Sequence, residues 1–227
     1  MISEPIVLIS SRYIYRKIKE VQDTKLSFSS EEMDVMRDSG FFVLKHEVTQ
    51  KILKLFGGLE IEIMKKISEY PFLSFPELHI KEKGKIFRGE NYRLLPYVLL
   101  DCPRVFTTET VFSFRSMFWW GNEFSFTLHL QGKALDMFRE NIRRNISMLE
   151  KQGFFFCLND TPWEYSFEKE NYNLLDEMVE RDSAGLNKLI DDKSFLKLSR
   201  KIELSKYKEA NQFGIETFEK LMDILES

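Results

Sequence analysis

The residues whose types could do chemistry are three histidines, two cysteines and a small set of arginines, and their spacing narrows what that chemistry is. His46, His79 and His129 lie far apart and form no HxxxH or HExxH pattern, nor any spaced set with Cys102 and Cys157, so no metal site is expected. His129 stands out because it shares a polar and aromatic setting with Ser116, Ser125 and Thr127. An imidazole there could act as a general base or serve as a hydrogen-bonded sheet residue, and the structural role is the commoner. No GxSxG occurs and neither cysteine has an activating neighbour; Cys157, after Phe154-Phe155-Phe156, reads as a buried small hydrophobe. Gly57-Gly58 and the Gly84–Gly89 stretch match neither GxGxxG nor the phosphate loop, so no nucleotide or other cofactor is expected. Arg88, Glu90, Asn91, Tyr92 and Arg93 form a polar knot. Arg88 and Arg93 could grip a carboxylate or phosphate, or the knot could pin one strand to the next. Arg115, isolated in an apolar strand, requires either a buried acidic partner or a pocket.

The element that must position these groups is the stretch Val111–Leu130, VFSFRSMFWWGNEFSFTLHL, which predicts a β-hairpin. Gly121-Asn122 suits a two-residue type II′ turn, which would set Trp120 opposite Glu123. One face would then carry Met117, Trp119, Phe124, Phe126, Leu128 and Leu130 with Arg115 as its only charge. The other would mix Phe112, Phe114, Ser116, Phe118 and Trp120 with Glu123, Ser125, Thr127, His129 and Gln131, as a groove or half-covered core does. A four-residue loop keeps this register, whereas a three-residue loop shifts it and regroups the neighbours.

Before the hairpin the chain reads as helical. Ser29 and Glu32 have capping-box spacing for a helix ending near Gly40; a second helix runs from Phe41 to Phe56, where Gly57-Gly58 interrupts it, and a third covers Leu59–Ser68. Short β-like runs follow at Leu78–Lys81, Lys85–Phe87 and Tyr97–Leu100. After the hairpin, Lys133–Gln152 has helical periodicity closed by Gly153, Phe154–Leu158 reads as a strand and Tyr172–Arg181 as a helix. Phe195–Leu204 alternates as a strand, and Lys206–Leu225 is the last helix. The expected fold is α+β: a single domain over residues 1–227, mainly helical over 1–70 and sheet-forming over 72–225, with a largely antiparallel sheet.

Composition bounds the partners. With 43% hydrophobic and 30% charged residues the chain is an ordinary globular protein, and 21 Phe against 10 Gly and 6 Pro point to a thick aromatic interior. A net charge of −3 gives no global attraction to nucleic acid or to an anionic membrane, and no apolar run reaches the roughly 20 residues that span a bilayer. Trp119-Trp120 could stack bases, but the mixed face carries Glu123 and no lysine. Two distant cysteines and the lack of a signal-type leader point to a cytoplasmic protein.

The order FRGENYRLLPYVLLD, an aromatic hairpin ending LHL, an amphipathic helix, KSFLKLSRKIELSK and a final helix ETFEKLMDIL resembles the YktB-like proteins and a related conserved bacterial family. That resemblance covers about Lys85 to Leu225 and implies an α+β domain with no established activity. The expected function is binding of a small molecule or protein partner in a groove beside the hairpin, with Arg88, Tyr92, Arg93, Arg115, Phe118, Trp120 and His129 as the ligand-binding set. The alternatives are an enzyme using His129 with nearby arginines on an anionic substrate, and a homo-oligomer subunit that buries its aromatic face against a second copy.

Overall fold

The computed structural model of the chain describes residues 27–75, 78, 80 and 83–226; an amphipathic segment expected from the sequence at Tyr13–Val21, and His79 and Lys81 of the Leu78–Lys81 run, lie outside them. Among the described residues are five helices, α1 (Ser30–Arg37), α2 (Ser39–Ile67), α3 (Lys133–Asn145), α4 (Leu175–Asp192) and α5 (Ala210–Glu226). They accompany seven strands: β1 (Lys85–Tyr92), β2 (Leu95–Phe106), β3 (Thr110–Trp119), β4 (Glu123–Gly132), β5 (Phe155–Cys157), β6 (Tyr172–Leu174) and β7 (Phe195–Glu203). The strands form one antiparallel sheet in the order β1-β2-β3-β4-β7-β5-β6, the α+β arrangement expected from the sequence.

The hairpin exists, but its register differs by one residue from the type II′ expectation. Phe118 faces Phe124 and Ser113 faces His129, so Trp120, Gly121 and Asn122 make a three-residue loop. Gly121 supplies the left-handed step at φ +72°, and the Asn122 side chain donates to Trp120 O at 2.8 Å, bracing the wider loop. Hydrophobic burial explains the choice. The two-residue turn would split the phenylalanines between faces, whereas this register gathers Phe112, Phe114, Phe118, Phe124, Phe126, Leu128 and Leu130 on one, all buried. Helices α2, α3 and α5 pack on that face. The opposite face carries Ser113, Arg115, Thr127 and His129 and lies beneath residues 158–171, an irregular strap between β5 and β6.

Three other expectations need correction. Helix α2 runs unbroken through Gly57-Gly58, because Ile52, Phe56, Leu59 and Ile63 bury a continuous stripe across the pair. At Gly58 the neighbouring helix comes close: an added Cβ would meet Asn211 Nδ2 at 3.4 Å, and that nitrogen donates to Leu55 O at 3.0 Å. Tyr172 begins a strand rather than a helix, and α4 bends at Asp182, whose carboxylate accepts the Gly185 N–H at 2.8 Å and restarts the helix. The polar knot is mostly strand β1, ended by a two-residue turn in which Arg93 and Leu94 both have positive φ, the signature of a type I′ hairpin.

Candidate functional site

The sheet brings two groups of candidate residues together, on opposite faces. On the strap side, pairing aligns a row across the strands. Arg104 faces Ser113, Ser113 faces His129, His129 faces Lys197, and Cys157 faces Tyr172. Phe156 pairs with Leu198, so the same register sets Cys157 opposite Lys197. One step along, Arg115 makes a bidentate pair with Asp101, both contacts 2.7 Å, and donates to Tyr165 Oη at 2.9 Å. The acidic partner Arg115 requires is therefore Asp101, itself fully buried. Thr127, Ser199 and Tyr172 continue the network through hydroxyl contacts of 2.8 and 3.2 Å.

The strap is held by polar contacts. Tyr92 Oη accepts the N–H groups of Tyr165 and Ser166 at 2.7 and 3.0 Å and meets Glu164 at 3.1 Å, while Arg93 binds Glu164 and Glu168. Lys197 Nζ donates to Glu164 O from beneath. Tyr92 and Arg93, read from sequence as ligand contacts, are thus anchors of the strap. Burial pushes the Tyr165 hydroxyl up to about 12, so it stays a neutral partner for Arg115.

His129 is buried among the rings of Phe106, Trp163 and Phe195 at 6.5, 5.9 and 6.1 Å, and neither ring nitrogen has a hydrogen-bond partner among the described residues. Burial, with Lys197 and Arg115 adding repulsion, holds its pKa well below the usual 6.5. As pH falls through 6.5 the unfolded chain takes up this proton and the folded chain does not, so stability declines below that value. Between about pH 7 and pH 5 the wild-type protein should lose roughly 2 kcal/mol more than His129→Phe, read by urea titration of each at both pH values.

The helix side holds the open site. Phe42, Lys45, His46 and Thr49 of α2, Arg88 and Glu90 of β1, and Trp120 of the hairpin loop line a cleft of about 160 Å³. Trp120 is half-buried, edge-on to Phe118 at 5.3 Å, and its backbone N–H bonds Pro96 O at 3.2 Å, which fixes the indole at the rim. Lys45 is paired with Glu90. Arg88 is exposed and makes no hydrogen bond or ion pair among the described residues. A larger depression of about 570 Å³ beside β7 is lined by Glu123, Lys201, Glu203, Lys206 and Glu209, and lacks such an excess of cations.

No protein-family model matches the chain, and no curated protein or solved structure matches it either. Its own geometry therefore carries the functional argument. Arg88 and Trp120 meet at the cleft with Phe118 packed beneath the indole, whereas Tyr92, Arg93, Arg115 and His129 lie across the sheet under the strap. An enzyme uniting His129 with Arg88 is not what this placement offers, because the sheet separates them. Among the described residues no three or more His, Cys, Asp or Glu side chains cluster as metal ligands would, and no helix is long and apolar enough to cross a membrane. Sequence reasoning did not single out Lys197, Tyr165 or Lys45, and it did not place Cys157 beside Lys197 or His46 at the cleft. The alternation of Lys197 and Ser199 with Leu196 and Leu198 was the available signal, but it reads as a solvent face unless the strap is known.

Proposed function

We propose that the protein binds a small anion carried on a single planar ring, in the cleft between α2 and the hairpin loop. The observation that carries this reading is an arginine with no carboxylate partner among the described residues, facing a half-buried tryptophan across a space close to that of a benzene-sized cavity. The Arg88 guanidinium supplies a charge-assisted, bidentate contact for a carboxylate or phosphate, and Trp120 supplies the apolar wall. Lys45 and His46 add donors at the rim. A thermal-shift screen of single-ring carboxylates and phosphates is expected to return stabilising ligands, whose effect falls when Arg88→Gln is screened alongside. An equal response from wild type and Arg88→Gln would count against the reading.

A second reading, assembly with another chain, draws on a different surface from the one the sequence suggested. Both hairpin faces are covered, but Val35, Met36, Phe41, Phe42, Val43 and Leu44 are each more than half exposed along α1 and α2. Light scattering separates the two readings, since a strict monomer at high concentration removes the second.

A further inference from the structure

Cys157 and Lys197 set a thiol opposite an amine in the buried strap face of the sheet. Both are fully buried and stand opposite one another on neighbouring strands with side chains on the strap face, and the thiol is an electrostatic neighbour of the ammonium. The thiol also donates to Asn171 Oδ1 at 3.6 Å. The rings of Tyr165 and Tyr172 flank the amine at 4.2 and 5.2 Å, and His129, Arg115 and Glu164 complete its charged and titratable surroundings. A lysine buried among two other basic groups is an expensive way to fill a sheet face.

We propose that Cys157 and Lys197 form an oxidisable pair that joins through a sulfur–nitrogen bond when the thiol meets a hydroperoxide. In the first step the Cys157 sulfur attacks the terminal peroxide oxygen, the O–O bond breaks, and with hydrogen peroxide one water leaves as the sulfur becomes a sulfenic acid. In the second step the Lys197 nitrogen lone pair attacks that sulfur, the S–O bond breaks, and the nitrogen proton leaves with the hydroxyl as a second water. The sum is thiol plus amine plus hydrogen peroxide giving a sulfenamide and two waters, with sulfur oxidised and peroxide reduced. The second step needs the neutral amine, and burial lowers the Lys197 pKa to about 8, so a useful fraction is neutral near physiological pH. The reaction requires local opening of the strap, an irregular segment joined to β1 and its turn by side-chain contacts.

Cys102 is the internal control. It lies elsewhere in the sheet, and burial with the Glu60 and Asp101 carboxylates pushes its thiol up to about 12, which disfavours the nucleophilic thiolate. The test is peptide mapping by mass spectrometry of the native full chain after brief treatment with hydrogen peroxide. The expected product is a pair of peptides joined at Cys157 and Lys197, lighter by two hydrogen atoms than their sum and released by dithiothreitol. The same treatment in denaturant should yield less than about a tenth as much, because the fold supplies the proximity. Recovery of Cys157 as free thiol or sulfinic acid without the joined pair would overturn the proposal, as would equal joining in the unfolded chain.

Discussion

Asp101→Ala is expected to destabilise the protein by about 3–5 kcal/mol, the cost of leaving a buried cation without its counter-charge. Arg115 retains only 6% of its accessible surface, and Asp101 accepts two hydrogen bonds from it at 2.7 Å. Tyr165, which also accepts from Arg115, is neutral and cannot replace the charge. The measurement is urea unfolding followed by tryptophan fluorescence, and the double variant Asp101→Leu with Arg115→Met separates charge from packing. Removing both partners should restore more than half of the loss, since an apolar pair of similar volume needs no desolvated charge. A single variant as stable as wild type would mean that Arg115 reaches solvent.

The second large effect is Phe126→Ala, with an expected loss of about 3–5 kcal/mol. Phe126 is fully buried, stacks on Phe114 at 6.5 Å and 19°, and contacts Phe213 at 5.8 Å. Helix α5 lies so close that a Cβ on Gly214 would meet the Phe126 ring at 2.6 Å, so the backbone can do little to collapse into the space. This variant also tests the register. Phe114 and Phe126 share a face only when a three-residue loop closes the hairpin, and a double-mutant cycle between them should then show coupling above about 0.5 kcal/mol. Additive losses would return the pair to opposite faces.

How much of this was legible in the sequence depends on the scale of the signal. The hairpin, the capping box at Ser29, the alternation of Leu196, Leu198 and Ile202, and the α+β class all follow from local pattern, which these segments obey. The register did not follow, because Gly121-Asn122 serves a two-residue or a three-residue loop equally well; what decides is the gathering of phenylalanines on one face, a property of the whole sheet. Gly57-Gly58 misled for the same reason, since a stripe of four buried residues outweighs about 1 kcal/mol of intrinsic cost per glycine. At the site, Arg88 and Trp120 do come together, but residues far from both in sequence, Lys45 and His46, complete the cleft. Tyr92 and Arg93 carried the right chemistry for an anion and spend it on Glu164 and Glu168 of the strap, a contact across more than 70 residues that no local motif announces.

The most direct test of the binding account is calorimetric titration of the best single-ring anion from the screen into wild type, Arg88→Gln, Trp120→Ala and His129→Phe. The account predicts at least about tenfold weaker binding for the first two variants and unchanged affinity for His129→Phe, whose imidazole lies on the far side of the sheet. Affinity lost in His129→Phe and kept in Arg88→Gln and Trp120→Ala would contradict it and move the site beneath the strap.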